Sequence, residues 1–360
     1  MAGNLKPLAG LTIRAMSSHG MSSKGKRIRS DLSLEAIDLF FTAMISCLYA
    51  LLIILLLPIL MSKSSRLFHF IALLIGSHLV GFASELQSGS YTINQDWSQE
   101  QDYERSYFVH APDSVEPLPL FIFLHGNGGN AERSMQGFIR RHKKLSKRYN
   151  MVFAQGYLKS WNIVSERSKA PDREFIEAIV TKLTEYSNVK DSDAVLMGSS
   201  NGAALVNQFA IETRSDHFSH YITVVSQLNA WQHDGTAFKA KGLDNNYTES
   251  VVPLKGKCLM NVSGANDKLV PYAGGPSKGI RAKDGKLAFV DAERSAFLWA
   301  QHHGYKGEQL SQPSESSEEM NVFSYLDGAV VHYNMKTRAH NAGGALSEVM
   351  LLEFLNQSNP

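Results

Sequence analysis

Past residue 84, short apolar runs alternate with stretches whose apolar positions recur at helical spacing. The runs at 105–110 and 119–124 have strand character. Those at 151–155, 194–197, 221–225 and 258–262 are short, continuous and rich in β-formers, the pattern of strands buried on both faces of a parallel sheet. Between them, helical periodicity predicts helices over 131–147, 172–186 and 201–213, with Asp172 after Pro171 as the N-cap of the second. Residues 322–335 read as a hairpin turning at Asp327-Gly328, and 345–356 as an amphipathic closing helix. Such alternation predicts an α/β architecture: a mostly parallel central sheet flanked by helices on both faces. No repeat, low-complexity tract or linker interrupts 84–360, so one domain of that length is expected.

The first 83 residues follow a different pattern. Residues 39–61 run 23 positions without a charge, enough at helical rise to cross a bilayer of about 30 Å. A second apolar run, 67–83, begins after Ser62-Lys63-Ser64-Ser65-Arg66. Basic residues flank the first run on both sides, which opposes a helical hairpin under the positive-inside tendency. Read from Met61, the same residues form a secretion signal: Lys63 and Arg66, an apolar stretch from Leu67 to Val80, and Gly81-Phe82-Ala83 as a small-x-small cleavage site. The expectation is therefore a targeting or anchor region over 1–83, with a signal peptide at 61–83 and translation starting at Met61. The alternative is a transmembrane N-terminal anchor. Either one puts residues 84–360 outside the cytoplasm, secreted or periplasmic in the first case.

Charge narrows the partners. Residues 1–30 hold six basic residues and no acidic one, and residues 84–360 hold 28 basic against 31 acidic. With no basic excess there, nucleic-acid binding is not expected, and any membrane contact is expected only through the N-terminal region. Two cysteines, Cys47 and Cys258, cannot form a disulfide framework, and metal-ligand spacings such as C-x-x-C or H-E-x-x-H are absent. Neither a metal nor an organic cofactor is expected.

Candidate chemistry begins at Gly198-Ser199-Ser200-Asn201-Gly202, between the strand at 194–197 and the helix at 201–213. This is G-x-S-x-G in the context that gives it meaning. Glycines permit a sharp strand-to-helix turn that exposes the Ser200 hydroxyl, and the helix N-terminus behind it favours developing negative charge. Upstream, His125-Gly126-Asn127-Gly128-Gly129-Asn130 follows a strand. It lacks the G-x-G-x-x-G spacing and the Lys-Ser/Thr of nucleotide loops, and it suits an oxyanion loop, with the backbone N–H groups of Asn127 and Asn201 as donors. His125 is expected to orient that loop.

A serine nucleophile needs a base and an acid to hold it. In the chain order Ser…Asp…His, Asp267 lies just past the strand at 258–262, on a loop at the carboxyl end of the sheet. Of the later histidines, His302 and His303 end a helical stretch, His332 lies inside a strand, and His340 sits on a loop before the closing helix, the place from which an imidazole can reach the serine. Ser200, Asp267 and His340 are the expected catalytic residues. Trp161 is expected to line an acyl pocket, with a core role as the alternative.

In order, His-Gly-x-Gly-Gly-Asn, Ser-Trp-Asn, Gly-x-Ser-Asn-Gly, Asp-x-x-Val-Pro-Tyr-x-Gly-Gly and a late histidine resemble the α/β-hydrolase group of polyhydroxybutyrate depolymerase, feruloyl esterase and acetylxylan esterase-like secreted esterases. The resemblance covers about 105–356, and Asp267-Lys268-Leu269-Val270-Pro271-Tyr272-Ala273-Gly274-Gly275 is its most specific piece. It implies a serine carboxylesterase with Ser200 as nucleophile, Asp267 as acid and His340 as base. Members often have a cysteine where this chain has Asn127, and Trp-Pro near the position of Asn341-Ala342. The expected substrates are short-chain, aromatic or hydroxyalkanoate esters. A peptidase of the same fold and a catalytically silent binding module are the rivals.

Overall fold

A computed structural model describes residues 84–283 and 285–360. The apolar segments of the first 83 residues, and with them the signal-peptide and anchor readings, lie outside the described residues. Among the described residues no helix is long and apolar enough to cross a membrane.

The core of the sheet is made by strands whose every residue, or nearly so, is buried. These are β3 (Leu120–Leu124), β4 (Asn150–Ala154), β5 (Ala194–Ser199), β6 (Phe218–Val224), β9 (Cys258–Gly264) and β14 (Val330–Met335). They pair in parallel in the order β4-β3-β5-β6-β9-β14. β1 (Gly89–Trp97) and β2 (Glu100–His110) extend one side antiparallel, and β13 (Met320–Tyr325) with β12 (Glu315–Ser316) the other, completing ten strands.

Side-chain alternation sorts this sheet into two cores. Leu120, Ile122 and Leu124 of β3 face one core, shared with α2 (Asp172–Leu183), α3 (Asn201–Glu212) and α4 (Ala292–His302). Phe121 faces the other, with α1 (Ala131–Arg141) and α5 (Glu348–Leu355). The period of two along each strand therefore makes a three-layer sandwich. A mostly parallel sheet with this strand order, antiparallel at its first edge and with a serine at the β5–α3 turn, is the α/β-hydrolase fold.

Several boundaries differ from expectation for identifiable reasons. The first helix ends at Arg141 rather than residue 147, because His142 leaves helical geometry and packs its ring 4.3 Å from that of Phe138. The backbone N–H groups of Lys144 and Leu145 are then taken by the Glu348 carboxylate. Asp172 is not the N-cap. It is the first residue of α2, and its carboxylate accepts from Arg105 at 2.6 Å and from the Asn162 backbone N–H at 2.6 Å. Both ends of the Arg105–Asp172 pair are 1% exposed, with the guanidinium 3.9 Å from the Phe175 ring centre. The acidic side chain that suggested a cap satisfies a buried cation instead.

Between β6 and β9 lies only a small ribbon, β7 (Phe238–Ala240) with β8 (Glu249–Val251). A second hairpin, β10 (Gly275–Ala282) with β11 (Gly285–Phe289), follows the Asp267 loop.

Candidate active site

Ser200 sits between β5 and α3 with φ 54° and ψ −117°, a conformation that strains any residue with a Cβ by about 1–3 kcal/mol. The turn holds it there: Ser200 N–H donates to the Val224 carbonyl at 2.8 Å, and its own carbonyl accepts from Ala204 N–H at 3.0 Å. The flanking glycines are required by contact rather than flexibility. A Cβ on Gly198 would lie 2.3 Å from the Gly202 carbonyl oxygen, and one on Gly202 would lie 2.3 Å from that of Leu124. The first turn of α3 thus packs directly on the end of β3, where the glycine-rich loop begins.

The Ser200 hydroxyl lies 2.8 Å from His340 Nε2, and His340 Nδ1 lies 2.7 Å from Asp267 Oδ2. A carboxylate only accepts, so Nδ1 carries the proton and Nε2 is the free acceptor toward Ser200. The other carboxylate oxygen of Asp267 accepts from the backbone N–H groups of Leu269 and Val270 at 2.8 and 3.0 Å. The Asp267 side chain is 2% exposed and that of His340 28%, so the pair is closed at one end and open to solvent at the other.

The loops carrying these two residues are tied to each other. β9 and β14 run parallel in register up to Gly264 opposite Met335. Beyond that, Asn266 N–H donates to Arg338 O at 2.9 Å, and Asn266 Nδ2 to Lys336 O at 3.1 Å. The approach is close enough that a Cβ on Gly264 would come within 2.2 Å of Ala339 O.

His125 is a buried brace. Gly156 N–H donates to its Nε2 at 3.0 Å, so Nδ1–H donates to Gly126 O at 2.7 Å, and burial pushes its pKa down. Asn127, Gly128, Ser200 and Asn201 border a cavity of about 660 Å³. Among the described residues, neither Asn127 N–H nor Asn201 N–H donates to a protein acceptor.

Trp161 does not line this cavity. It is fully buried, and its indole N–H donates to His125 O at 2.7 Å. The ring braces the glycine loop from behind because its donor has a buried carbonyl to satisfy. The apolar wall comes from residues the sequence did not single out: Ile163 and Val164, with Ile280, Leu287 and Phe289 of the β10–β11 hairpin. Glu166 also borders the cavity, its pKa raised by burial against the lowering effect of backbone donors. Nothing in a single sequence distinguishes these residues from ordinary loop positions.

The remaining histidines lie elsewhere. His332 is fully buried between Asn261 Oδ1 (2.8 Å) and the Tyr272 hydroxyl (3.1 Å), and burial lowers its pKa to about 3. His303 stacks on Trp299 at the end of α4, its pKa lowered to about 3 by the same cause.

No family model matches the chain. The Nocardia uniformis subsp. tsuyamanensis protein described as "Putative esterase NocK" is 28% identical over 138 residues, 34% of this chain and 38% of that protein. The chain thus matches well under half the length of that relative. An acetyl xylan esterase from Aspergillus awamori aligns structurally with a TM-score of 0.49 at 12% identity, covering 74% of this chain and 98% of that one. For the S-formylglutathione hydrolase FrmB of Staphylococcus aureus the TM-score is 0.36 at 12% identity, covering 51% and 82%.

Proposed function

We propose that this chain is a serine-dependent carboxylic ester hydrolase in which Ser200 is the nucleophile, His340 the base and Asp267 the acid. The observation that carries the reading is the continuous hydrogen-bonded chain Ser200–His340–Asp267, 2.8 and 2.7 Å, starting from a strained turn at the edge of a cavity.

Ser200 Oγ attacks the ester carbonyl as His340 Nε2 takes its proton. Asp267 accepts from Nδ1–H and stabilises the imidazolium that forms. The tetrahedral oxyanion is held by Asn127 N–H and Asn201 N–H, with the N-terminus of α3 adding a favourable dipole. The imidazolium then protonates the departing alcohol, leaving an acyl-serine. Water, deprotonated by His340, attacks that ester, and Ser200 recovers its proton as the acid departs. The substrates are short-chain, aromatic or hydroxyalkanoate esters. A 660 Å³ cavity walled by Ile163, Val164, Leu287 and Phe289 supports a compact apolar acyl group. Residues 84–360 form the catalytic domain and work outside the cytoplasm, a reading that rests on the signal-like residues 61–83 alone.

The test is labelling with a fluorophosphonate and mapping of the modified peptide, alongside hydrolysis of p-nitrophenyl acetate. Modification at Ser200, lost together with turnover in Ser200→Ala, is expected. An unlabelled wild-type chain, or a variant keeping more than about a thousandth of turnover when triad losses run near 10⁶, overturns the reading. N-terminal sequencing of the native protein checks the signal reading: a mature start at Ser84 is expected, and an intact, membrane-bound chain beginning at Met1 refutes it in favour of the anchor.

A further inference from the structure

We propose that Glu166 is a positioning residue that ties the acyl-side wall of the cavity to the nucleophile turn through the side chain of Asn201. The proposal rests on the esterase reading and adds the device that sets its acyl preference.

Residues 160–167 contribute Ser160, Ile163, Val164, Ser165, Glu166 and Arg167 to the cavity, yet they lie in no helix or strand. Side chains hold them instead: Asp172 accepts from Asn162 N–H, the Tyr247 hydroxyl lies 2.8 Å from Ile163 O, and Glu166 and Asn201 add the contacts that reach the nucleophile turn. One Glu166 oxygen, Oε2, accepts from three consecutive backbone N–H groups: Ile163 at 2.9 Å, Val164 at 2.7 Å and Ser165 at 3.1 Å. Three amides converging on one anion form a nest that curls the segment around the carboxylate. The other oxygen, Oε1, accepts from Asn201 Nδ2 at 3.1 Å.

Asn201 is the residue after the nucleophile. Its Oδ1 accepts from Trp161 N–H at 2.7 Å and from the Ser160 hydroxyl at 3.3 Å, and its Nδ2 also donates to Trp161 O at 3.2 Å. One amide therefore clamps the start of the segment, and its last free donor direction meets Glu166 at the end of it. Every partner of the carboxylate is a donor. An ionised carboxylate satisfies all four, whereas a primary amide in the same shape must turn its own N–H groups toward either Asn201 or the nest.

Loss of this carboxylate should loosen Ile163 and Val164 and leave Asn201 tied only to the start of the segment. Substrates whose acyl group reaches that wall should suffer more than those that do not.

The experiment compares wild type, Glu166→Gln, Asn201→Ala and the double variant on p-nitrophenyl acetate and p-nitrophenyl benzoate. Fluorophosphonate labelling of the wild type reports separately on the esterase reading. Glu166→Gln is expected to lower kcat/KM for benzoate roughly tenfold, given the strength of a hydrogen bond to a charged group, and to affect acetate less. The double variant should fall within about threefold of the worse single variant, because both remove the same link. Losses that multiply, or equal losses on both esters, overturn the proposal while leaving Ser200 labelling intact. If Glu166→Gln does not fold, Asn201→Ser alone serves: a loss selective for benzoate supports the link, and an equal loss refutes it.

Discussion

Replacing Gly202 by alanine adds one methyl group at the junction between the nucleophile turn and the glycine loop. Gly202 has no positive φ, so alanine accepts its backbone conformation and the effect is steric. The new Cβ would lie 2.3 Å from Leu124 O, 2.6 Å from His125 O and 2.7 Å from Leu124 C, about 1 Å short of ordinary contact. Neither side can yield cheaply. Leu124 is fully buried at the end of a strand paired on both edges, and Gly202 opens a helix whose next nine residues are buried. The helical gain of glycine to alanine, about 1 kcal/mol, opposes an overpacking cost of about 1–3 kcal/mol. Net destabilisation is therefore modest, and the larger effect is geometric. The first turn of α3 must retreat by about 1 Å, moving Asn201 N–H away from Asn127 N–H. A misplacement of that size costs on the order of 100-fold in turnover. The assay is kcat and KM on p-nitrophenyl acetate, with urea unfolding in parallel. The expected result is a kcat loss of about 100-fold with KM little changed and the unfolding midpoint slightly lower. Activity within threefold of wild type would refute the packing argument. As a control, Gly137→Ala in α1 meets nothing within 4 Å and should stabilise by about 0.5–1 kcal/mol.

Asp267→Asn should keep the fold but lower kcat by roughly 10⁴, the loss seen where an amide imposes the wrong histidine tautomer; a few-fold loss in steady-state assays would remove Asp267 from the acid role. His340→Ala should abolish turnover. His332→Ala should keep fluorophosphonate labelling but lower unfolding stability by roughly 1–3 kcal/mol, since Asn261 and Tyr272 lose a buried partner; reversed kinetics for these two variants would reassign the base. His303 and His332 should stay neutral by NMR from pH 7 down to 5. Their folded pKa values near 3 lie below the ordinary 6.5, so the stability they contribute is complete above pH 6.5 and lost as pH falls toward 3. A midpoint near 6.5 for either in the folded protein would contradict their burial.

What the chain determined by itself is what a few neighbouring residues can encode. Continuous apolar runs marked the buried strands, because a strand covered on both faces favours apolar side chains at successive positions, with polar ones only where a buried partner meets them. Gly198 to Gly202 marked the turn, because only glycines allow that strand-to-helix reversal. The loop positions of Asp267 and His340 followed from the strands before them. Tertiary structure decided how distant segments meet. Asp172 looks like a cap until Arg105, 67 positions away, claims its carboxylate. Trp161 looks like a pocket residue until His125 O supplies the buried acceptor that turns its indole inward. Polar positions on β1 hid an edge strand, since only one of its faces is covered. The cavity wall at Leu287 and Phe289 belongs to a hairpin that the fold brings together with Ile163 and Val164, and Glu166 meets Asn201, 35 positions away, only in the folded chain. Backbone preference and periodicity act over a turn of helix or a few strand residues, so they can be read along the chain. The direction of a side chain and the partner that satisfies it depend on contacts between residues tens of positions apart, and those exist only in the folded protein.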